Sequence, residues 1–381
     1  MRGPAEQLLA YREGTNYMGK CTRCLLPEGV PGADLDAAGI CVFCRQYAQT
    51  NHALEEEARK QREADLEKAL AACRGQGEYD CVVNLSGGKD SCYLLYKIRC
   101  EYGLNVLAFT TNINLPEVAW ENIHRTVEKL DVDHVVYTPP KEFYRKLYRL
   151  LLQNQEARGA VRTVCYVCAP LYEGYSLQLA VEKQIPLILA GYSPGQPEPE
   201  RMVYEFPREL ICKTDWTPVE IRESGLFTES ELARFWNPLR YPSGTRFPRY
   251  IAPFHAWPYR QAETMKKVVE LGLIRTSWRA SPVSSNCPLN WLLMYSDLKN
   301  LHFNPYAPEF SKLMREGKAS RSYWRIMGPI VNIMIRRQIL LGRNVRRSFQ
   351  WLGLKPDDLR ITRSAPSAGH TVFIPFGSEN G

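Results

Sequence analysis

Residues 79–98, YDCVVNLSGGKDSCYLLYKI, constrain the fold more than any other stretch of this chain. The apolar run 81–85 is typical of a strand buried in the middle of a parallel sheet, and helical spacing of apolar residues begins at Ser91. The hexapeptide SGGKDS between them is therefore a strand-to-helix turn. Such a turn presents unpaired backbone N–H groups and the positive end of the helix dipole. The sequence predicts that an anion binds there.

The residue types of the turn suit a phosphate group. Gly87 and Gly88 let the backbone approach closely, Lys89 adds a positive charge, and the hydroxyls of Ser86 and Ser91 add donors. The turn lacks the longer arc of the G-x-x-x-x-G-K-[ST] loop. The alternative is a glycine turn with an incidental lysine.

SGGKDS resembles the pyrophosphate-binding loop of the PP-loop ATP pyrophosphatase superfamily. Members of that superfamily cleave ATP between the α and β phosphates, adenylate an oxygen of the substrate, and let a nitrogen or sulfur nucleophile displace AMP. The resemblance implies that residues 86–91 hold the polyphosphate of ATP. It also implies catalytic roles for Lys89, which would neutralise the departing pyrophosphate, and for Asp90, which would hold Mg²⁺ or orient the loop.

Strands and helices alternate after this loop, with further predicted strands in LNVLAFTTNIN, DHVVYTPP and IPLILAGYSPGQ. The pattern predicts an α/β fold with a doubly wound parallel sheet and a ligand at the carboxyl ends of its strands. Thr110 and Gly191 end the second and fourth predicted strands, so we expect them to contact the adenosine or the reacting group, as we do for their neighbours 111, 112 and 192. Ordinary loop polarity is the alternative.

Two C-x-x-C pairs near the N-terminus, Cys21 with Cys24 and Cys41 with Cys44, have the spacing of a metal knuckle. Four thiolates complete a tetrahedral shell, for which Zn²⁺ is the natural occupant. A redox pair or an iron–sulfur cluster is the alternative.

A third C-x-x-C, Cys165 with Cys168, lies at a predicted helix start, and Cys287 lies in a distant turn before Pro288. Three thiolates fit a [4Fe–4S] cluster with one open iron. They also fit a persulfide and resolving pair, a second zinc site, or buried thiols. Packing explains the other cysteines of helix and strand patterns, which are Cys73, Cys81, Cys92 and Cys100.

Two resemblances within the superfamily compete. The segments CTRCLLPEGVPGADLDAAGICVFC, YDCVVNLSGGKDS, LDVDHVVYTPPKEFYRKLYRLLL, IPLILAGYS and LMREGKASRSYW resemble N-acetyl sugar amidotransferases of surface-polysaccharide biosynthesis. Those enzymes generally lack the third C-x-x-C and receive ammonia through a glutaminase partner. The third pair and Cys287-Pro288 instead resemble the tRNA 2-thiolation branch, in which an iron–sulfur cluster passes sulfur to an adenylated uridine.

The resemblances together imply sulfur insertion into a small molecule, a sugar or a tRNA, with a sulfur donor protein. The first alternative is amide formation with a glutaminase partner. The second alternative is a zinc- and ATP-binding scaffold without catalysis. The sequence does not determine the oligomeric state.

The composition is typical of a soluble globular protein. The 381 residues carry a net charge of +8, which suits polyphosphate or nucleic acid without proving either. No apolar run approaches the length of a membrane span and the N-terminus lacks the apolar core of a signal peptide, so we expect a cytoplasmic protein. Twelve cysteines then indicate thiol or metal chemistry rather than disulfides.

The C-terminal region is rich in arginine. Its surface could contact phosphates, an acidic partner or anionic lipid, although solvated arginines on packed helices are the simpler interpretation. The arginines are Arg321, Arg325, Arg336, Arg337, Arg343, Arg346 and Arg347.

We predict five segments along the chain. They are a leader with the cysteine knuckle (1–50), the ATP-binding α/β domain (51–195), an insertion or lid (196–260), a helical part with Cys287 (261–350) and a tail (351–381).

Overall fold

The computed structural model describes residues 19–50, 52–194, 204–280 and 287–364. The strands are β1 (Cys81–Asn84), β2 (Val106–Thr111), β3 (Asp133–Tyr137), β4 (Gln155–Glu156), β5 (Leu187–Ala190), β6 (Arg249–Ile251) and β7 (Ile361–Arg363). The helices are α1 (Val42–Gln49), α2 (His52–Cys73), α3 (Lys89–Tyr96), α4 (Glu117–Leu130), α5 (Lys141–Gln153), α6 (Ala160–Glu182), α7 (Arg208–Lys213), α8 (Val219–Glu223), α9 (Glu229–Leu232), α10 (Gln261–Glu270), α11 (Asn290–Asn300), α12 (Ala307–Arg315), α13 (Arg321–Arg337) and α14 (Arg343–Leu352).

Short helical turns complete the set. A π-helical segment, Lys97–Glu101, continues α3, and the 3₁₀ turns are Pro238–Arg240, Pro253–His255, Ser277–Ala280, Leu340–Gly342 and Pro356–Asp358.

The main sheet has the strand order β3-β2-β1-β5-β6, and every neighbouring pair is parallel. The chain moves from β1 outward through β2 and β3, then returns to the other side of β1 through β5. The order therefore reverses between β1 and β5, where a crevice opens at the carboxyl ends of the strands. The predicted doubly wound α/β fold, with a four-cysteine cluster before it and helices after it, is confirmed.

Helices cover both faces of the sheet, because side chains alternate along buried strands. Val82 faces one core, formed with α5, α6, α11, α13 and α14. Its neighbours Cys81 and Val83 face the other, formed with α2, α3, α4 and α10. The predicted helical C-terminal region thus packs on the sheet through the first core.

The segment 196–260 differs from the insertion or lid that its composition predicts. Its strand β6 pairs with β5 and forms one edge of the main sheet, and Tyr250 and Ile251 are buried in the two cores. Three residues flanked by prolines carry too short a pattern to indicate a strand. Residues 196–203 of this segment lie outside the described part of the chain.

The predicted tail also begins as ordered structure. Strand β7 pairs in parallel with β4, and Leu359 is buried just before it. The rest of the tail, residues 365–381, and most of the leader, residues 1–18, lie outside the described residues.

Cys100 is exposed, so apolar packing does not account for it, in contrast to Cys73, Cys81 and Cys92, which are buried. The π-helical segment that carries Cys100 turns it outward. No helix of the described ranges is long and apolar enough to cross a membrane.

A buried carboxyl group joins α11 to the start of α6. Asp297 accepts hydrogen bonds from the backbone N–H groups of Ala160 and Val161, the second at 3.1 Å. Gly159 precedes them with φ of 100°, and a side chain there would overlap the Asp297 carboxyl. The contact fixes the helix that carries Cys165 and Cys168 against α11.

Replacing Gly159 with alanine is expected to lower the free energy of unfolding by about 2–4 kcal/mol, because backbone strain and steric overlap combine. Gly75 also has positive φ, but no atom lies within 4 Å of its Cβ position. Gly75→Ala therefore reports backbone strain alone. Thermal unfolding of both variants is the measurement, and equal losses would contradict the packing role.

Burial raises the pKa of Asp297 to about 7, although the two N–H groups oppose this. A folded-state pKa above the unfolded value means that the native state binds the proton more tightly, so this contribution to stability falls as pH rises from about 4 to about 7. We expect Asp297→Asn to flatten that part of the stability–pH profile. Urea unfolding across this pH range checks it, and an unchanged slope would contradict it.

Candidate functional site

The SGGKDS loop joins β1 to α3 at the point where the strand order reverses. Gly88 is the N-cap of α3, and the helix begins at Lys89. Gly87 has φ of 76°, and a Cβ atom there would overlap the Ala119 carbonyl of α4. Glycine is therefore required both by the left-handed backbone and by the contact with α4.

Hydrogen bonds within the loop hold its shape. The Ser91 hydroxyl accepts the N–H of Ser86 at 3.2 Å and donates to the Gly88 carbonyl at 3.1 Å. Asn122 of α4 donates to the Gly87 carbonyl at 2.9 Å. These bonds orient the loop so that the first turn of α3 directs its N–H groups at the carboxyl edge of the sheet.

Gly191 completes this arrangement from β5. A Cβ atom at this position would lie 2.9 Å from both Cα and N of Ser91. The end of β5 therefore rests directly on the first turn of α3, which a larger residue would push away. The structure places Gly191 beside the loop.

Lys89 and Asp90 form an ion pair, with Lys89 Nζ 2.6 Å from Asp90 Oδ2, and each side chain is 11% exposed. Tyr259 donates to the other carboxyl oxygen at 2.9 Å, and Ser193 Oγ lies 3.4 Å from Oδ2. Burial alone would lower the pKa of Lys89, but Asp90 and Tyr259 outweigh burial and raise it. The lysine is thus a protonated cation at the mouth of the loop.

Glu309 of α12 is a carboxyl group near this pair that sequence reasoning missed. Burial raises its pKa to about 8, with Lys89 opposing the shift and Asp90 adding to it. Glu309 is therefore within electrostatic range of Lys89 and Asp90. No local pattern in the sequence marks it, because the tertiary fold alone joins α12 to α3.

The ends of β1 and β5 carry a polar network against α6. Asn84 donates to Tyr250 Oη at 2.7 Å and to Ser176 Oγ at 3.3 Å. Tyr192 donates to the buried carboxylate of Glu173 at 2.5 Å. Contact between Tyr192 and a ligand stays a prediction, and no sequence pattern indicated Glu173, which lies in an apolar helix.

Thr110 lies at the predicted edge, but its hydroxyl is engaged within the sheet. It donates to the Leu85 carbonyl at 2.6 Å, and His134 Nε2 lies 2.9 Å from its oxygen. Contact between Thr110 and adenosine stays a prediction.

The helix α6 carries Cys165 and Cys168 beyond the sheet. Ser176 contacts the end of β1, and Cys168 precedes it by eight residues, or about 12 Å of helix. The two cysteines are one turn apart, and Cys168 Sγ lies 3.2 Å from Tyr148 Oη.

Cys287 lies just before α11, where the N–H groups of Leu289 and Asn290 interact with its sulfur. Burial raises the pKa of Cys287, and these N–H groups oppose the shift. Tyr148 of α5 contacts Cys168 and is within electrostatic range of Cys287.

The sulfurs of Cys165, Cys168 and Cys287 do not all lie within 4.8 Å of one another; among the described residues, only Cys21, Cys24, Cys41 and Cys44 form such a group. The three thiols are therefore not gathered around one ion. A four-iron cluster uses a different iron for each cysteine, so its ligands need not meet at one point. Binding of a cluster by these residues stays a prediction.

The N-terminal cysteines fit a single tetrahedral ion. Their Sγ atoms lie 3.8 Å apart for Cys21 and Cys44 and 3.6 Å apart for Cys24 and Cys41. A zinc ion with Zn–S bonds of about 2.3 Å requires S–S separations of about 3.8 Å. The cluster is a tetrathiolate metal site.

This cysteine knuckle rests on the C-terminal helices. Arg315 of α12 donates to Cys24 Sγ at 3.5 Å and covers the Phe43 ring, and Arg321 of α13 donates to the Thr22 carbonyl at 2.7 Å. Four thiolates around a divalent ion leave two excess negative charges, which Arg315 partly neutralises.

No family model and no curated protein matches this chain. Among solved structures, U34-tRNA thiolase NcsA from Methanococcus maripaludis, with its [4Fe-4S] cluster, is 13% identical and aligns over 88% of this chain and 89% of its own, with a TM-score of 0.34. NH3-dependent NAD synthetase from Campylobacter jejuni is 14% identical over 80% and 97%, with a TM-score of 0.33. NMN synthetase from Francisella tularensis is 11% identical over 82% and 98%, also at 0.33.

These similarities are weak in both identity and TM-score. The chain itself has a parallel sheet and a strand-to-helix turn at SGGKDS, as the sequence predicts.

Purified protein is expected to hold about one zinc ion per chain at the knuckle. Cys44→Ser should lower the zinc content and the melting temperature, because it removes one of four ligands. Cys100→Ser, which alters an exposed thiol outside the group, is the control. Elemental analysis checks this, and unchanged metal content in Cys44→Ser would contradict the site.

Proposed function

We propose that this protein is an ATP-dependent enzyme that adenylates a substrate oxygen, releases pyrophosphate and replaces that oxygen with a nucleophile, preferably sulfur. The observation that carries the proposal is the loop at residues 86–91. The backbone N–H groups at the start of α3, the positive end of the helix dipole and the Lys89 cation lie close together beside the switch between β1 and β5. That is the chemistry of a polyphosphate site.

The loop would serve this reaction through its N–H groups, Lys89 and Asp90. The β and γ phosphates would bind the N–H groups at the start of α3. The substrate oxygen attacks the α phosphorus, and the bond to the bridging oxygen breaks with its electron pair leaving on pyrophosphate. Lys89 stabilises that charge, and its transfer from Asp90 to the phosphates would free the Asp90 carboxylate.

Bound Mg²⁺ would neutralise phosphate charge. Asp90, and Glu309 once deprotonated, are the carboxyl groups near the loop that could hold it.

Sulfur is the preferred nucleophile because of where the third cysteine group lies. Cys165 and Cys168 lie on α6 before Ser176, which contacts the end of β1, and Cys287 is within electrostatic range of Tyr148, the tyrosine that Cys168 contacts. A cluster bound there would supply an open iron for an exogenous sulfide. The thiols would hold that sulfur source beside the activated carbon, and AMP would leave.

The acceptor would be a small molecule, a sugar or a tRNA, modified in the cytoplasm with a sulfur donor protein. Amide formation is the second candidate, favoured by the sequence resemblance to N-acetyl sugar amidotransferases across the knuckle, the loop and α5. Ammonia from a glutaminase partner would then replace sulfur, and the three cysteines would be structural.

Lys89→Ala is expected to weaken Mg²⁺-ATP binding about ten- to a hundredfold, because a charge-assisted contact to phosphate is lost. Lys97→Ala is the matched control, since Lys97 pairs with exposed Glu101 outside the loop. Calorimetric titration with Mg²⁺-ATP needs no acceptor. Equal affinities for the two variants would contradict the proposed phosphate site.

Protein purified without oxygen is expected to hold about four irons per chain in addition to zinc, as a [4Fe–4S] centre requires. Cys287→Ser should lose most of that iron while Mg²⁺-ATP binding is unchanged. Cys212→Ser, a half-buried thiol outside the group, is the control. Analysis of iron and acid-labile sulfide measures the cluster content. A colourless protein that holds zinc alone would favour amide formation over sulfur insertion.

A further inference from the structure

Helix α13 carries an apolar stripe that the described part of the chain leaves exposed. Tyr323, Ile326 and Ile330 lie at the i, i+3, i+7 spacing of one helix face and are exposed, Ile326 by 60%. Ile339 and Leu340 follow directly after the helix and are exposed as well, Leu340 by 67%. This set is called the apolar stripe below.

The stripe borders the buried side of the helix. Val331, Met334 and Ile335 of α13 are buried and pack in the core that includes α11. Apolar side chains therefore continue from this core onto a part of the helix that the described residues leave in solvent. An exposed apolar surface of this kind is typical of an interaction site.

The surroundings of the stripe are strongly cationic. No aspartate or glutamate occurs between Glu316 and Asp357, whereas nine lysines and arginines do. The exposed arginines of this stretch are Arg321, Arg325, Arg337, Arg343, Arg346 and Arg347. These arginines and the apolar stripe make up what is called the α13 surface below.

The positive charge of the α13 surface indicates which kind of partner covers it. A second copy joined through the α13 surface by a two-fold axis would bring arginines against arginines with no acidic group in the stretch to pair them. A nucleic acid would bind the arginines through its phosphates, but its backbone would not bury the aliphatic side chains. An anionic bilayer surface accepts both, because apolar side chains enter the acyl boundary while arginines contact lipid phosphates.

We propose that the α13 surface attaches this protein peripherally to anionic phospholipid membranes. The apolar stripe inserts at the level of the headgroups, and the flanking arginines bind lipid phosphates. This attachment is independent of the proposed reaction, because the surface includes none of the loop or cysteine residues.

Co-sedimentation of the full chain with vesicles tests the attachment. One set contains phosphatidylcholine alone, and the other contains phosphatidylcholine and phosphatidylglycerol in a three-to-one ratio. The protein is expected to partition at least about tenfold more strongly onto the anionic set, and added salt should reduce that difference.

Paired variants separate the two parts of the surface. Ile326→Ser with Ile330→Ser, and Arg325→Glu with Arg346→Glu, should each reduce partitioning onto anionic vesicles about tenfold or more. Leu239→Ser with Val219→Ser, two exposed apolar positions elsewhere, and Arg246→Glu are the controls and should bind as the unaltered protein does. Circular dichroism and Mg²⁺-ATP affinity verify that all variants fold.

Three results would overturn the proposal. One is equal sedimentation with both vesicle sets, and another is equal loss in the controls. The third is that the unaltered protein does not bind vesicles. It would instead bind tRNA through the arginines, as a gel shift would show, or dimerise through the isoleucines, as analytical ultracentrifugation would show. ATP affinity is measured separately, so a failure of membrane attachment can be told apart from a failure of the proposed ATP-dependent reaction.

Discussion

The contact between Gly191 and the first turn of α3 is the constraint on which the candidate site depends. It brings the end of β5 against Ser91, while Gly87 rests on the Ala119 carbonyl from the opposite side. The loop is held between two backbones with no side chain to separate them. Its N–H groups therefore point in a fixed direction before any ligand arrives, which lowers the entropic cost of binding a polyphosphate.

The remaining elements are organised around this loop. Helix α12 contacts the cysteine knuckle through Arg315 at one end and carries Glu309 toward Lys89 and Asp90. Helix α6 reaches from the sheet to Cys165 and Cys168, and Asp297 of α11 fixes its start. The N-terminal metal site, the C-terminal helices and the sheet consequently form one structure, in which the knuckle stabilises the helix that approaches the loop.

Sequence patterns predicted the parts whose signals are local. The strands β1, β2, β3 and β5, the SGGKDS turn and the two C-x-x-C pairs each carry a contiguous pattern, and the structure places them as expected. Strand β6 has three residues between prolines and carries no period. The partners of Asp90, Tyr259 and Ser193, and the approach of Glu309 are consequences of tertiary packing, which no local pattern encodes.

A crystal structure with Mg²⁺ and an ATP analogue that has a methylene group between the α and β phosphorus atoms would show whether the loop binds polyphosphate. We expect the β and γ phosphates within hydrogen-bond distance of the N–H groups at residues 88–91, with Lys89 moved from Asp90 onto a phosphate oxygen. An analogue bound elsewhere, with the loop empty and the Lys89–Asp90 ion pair intact, would contradict it.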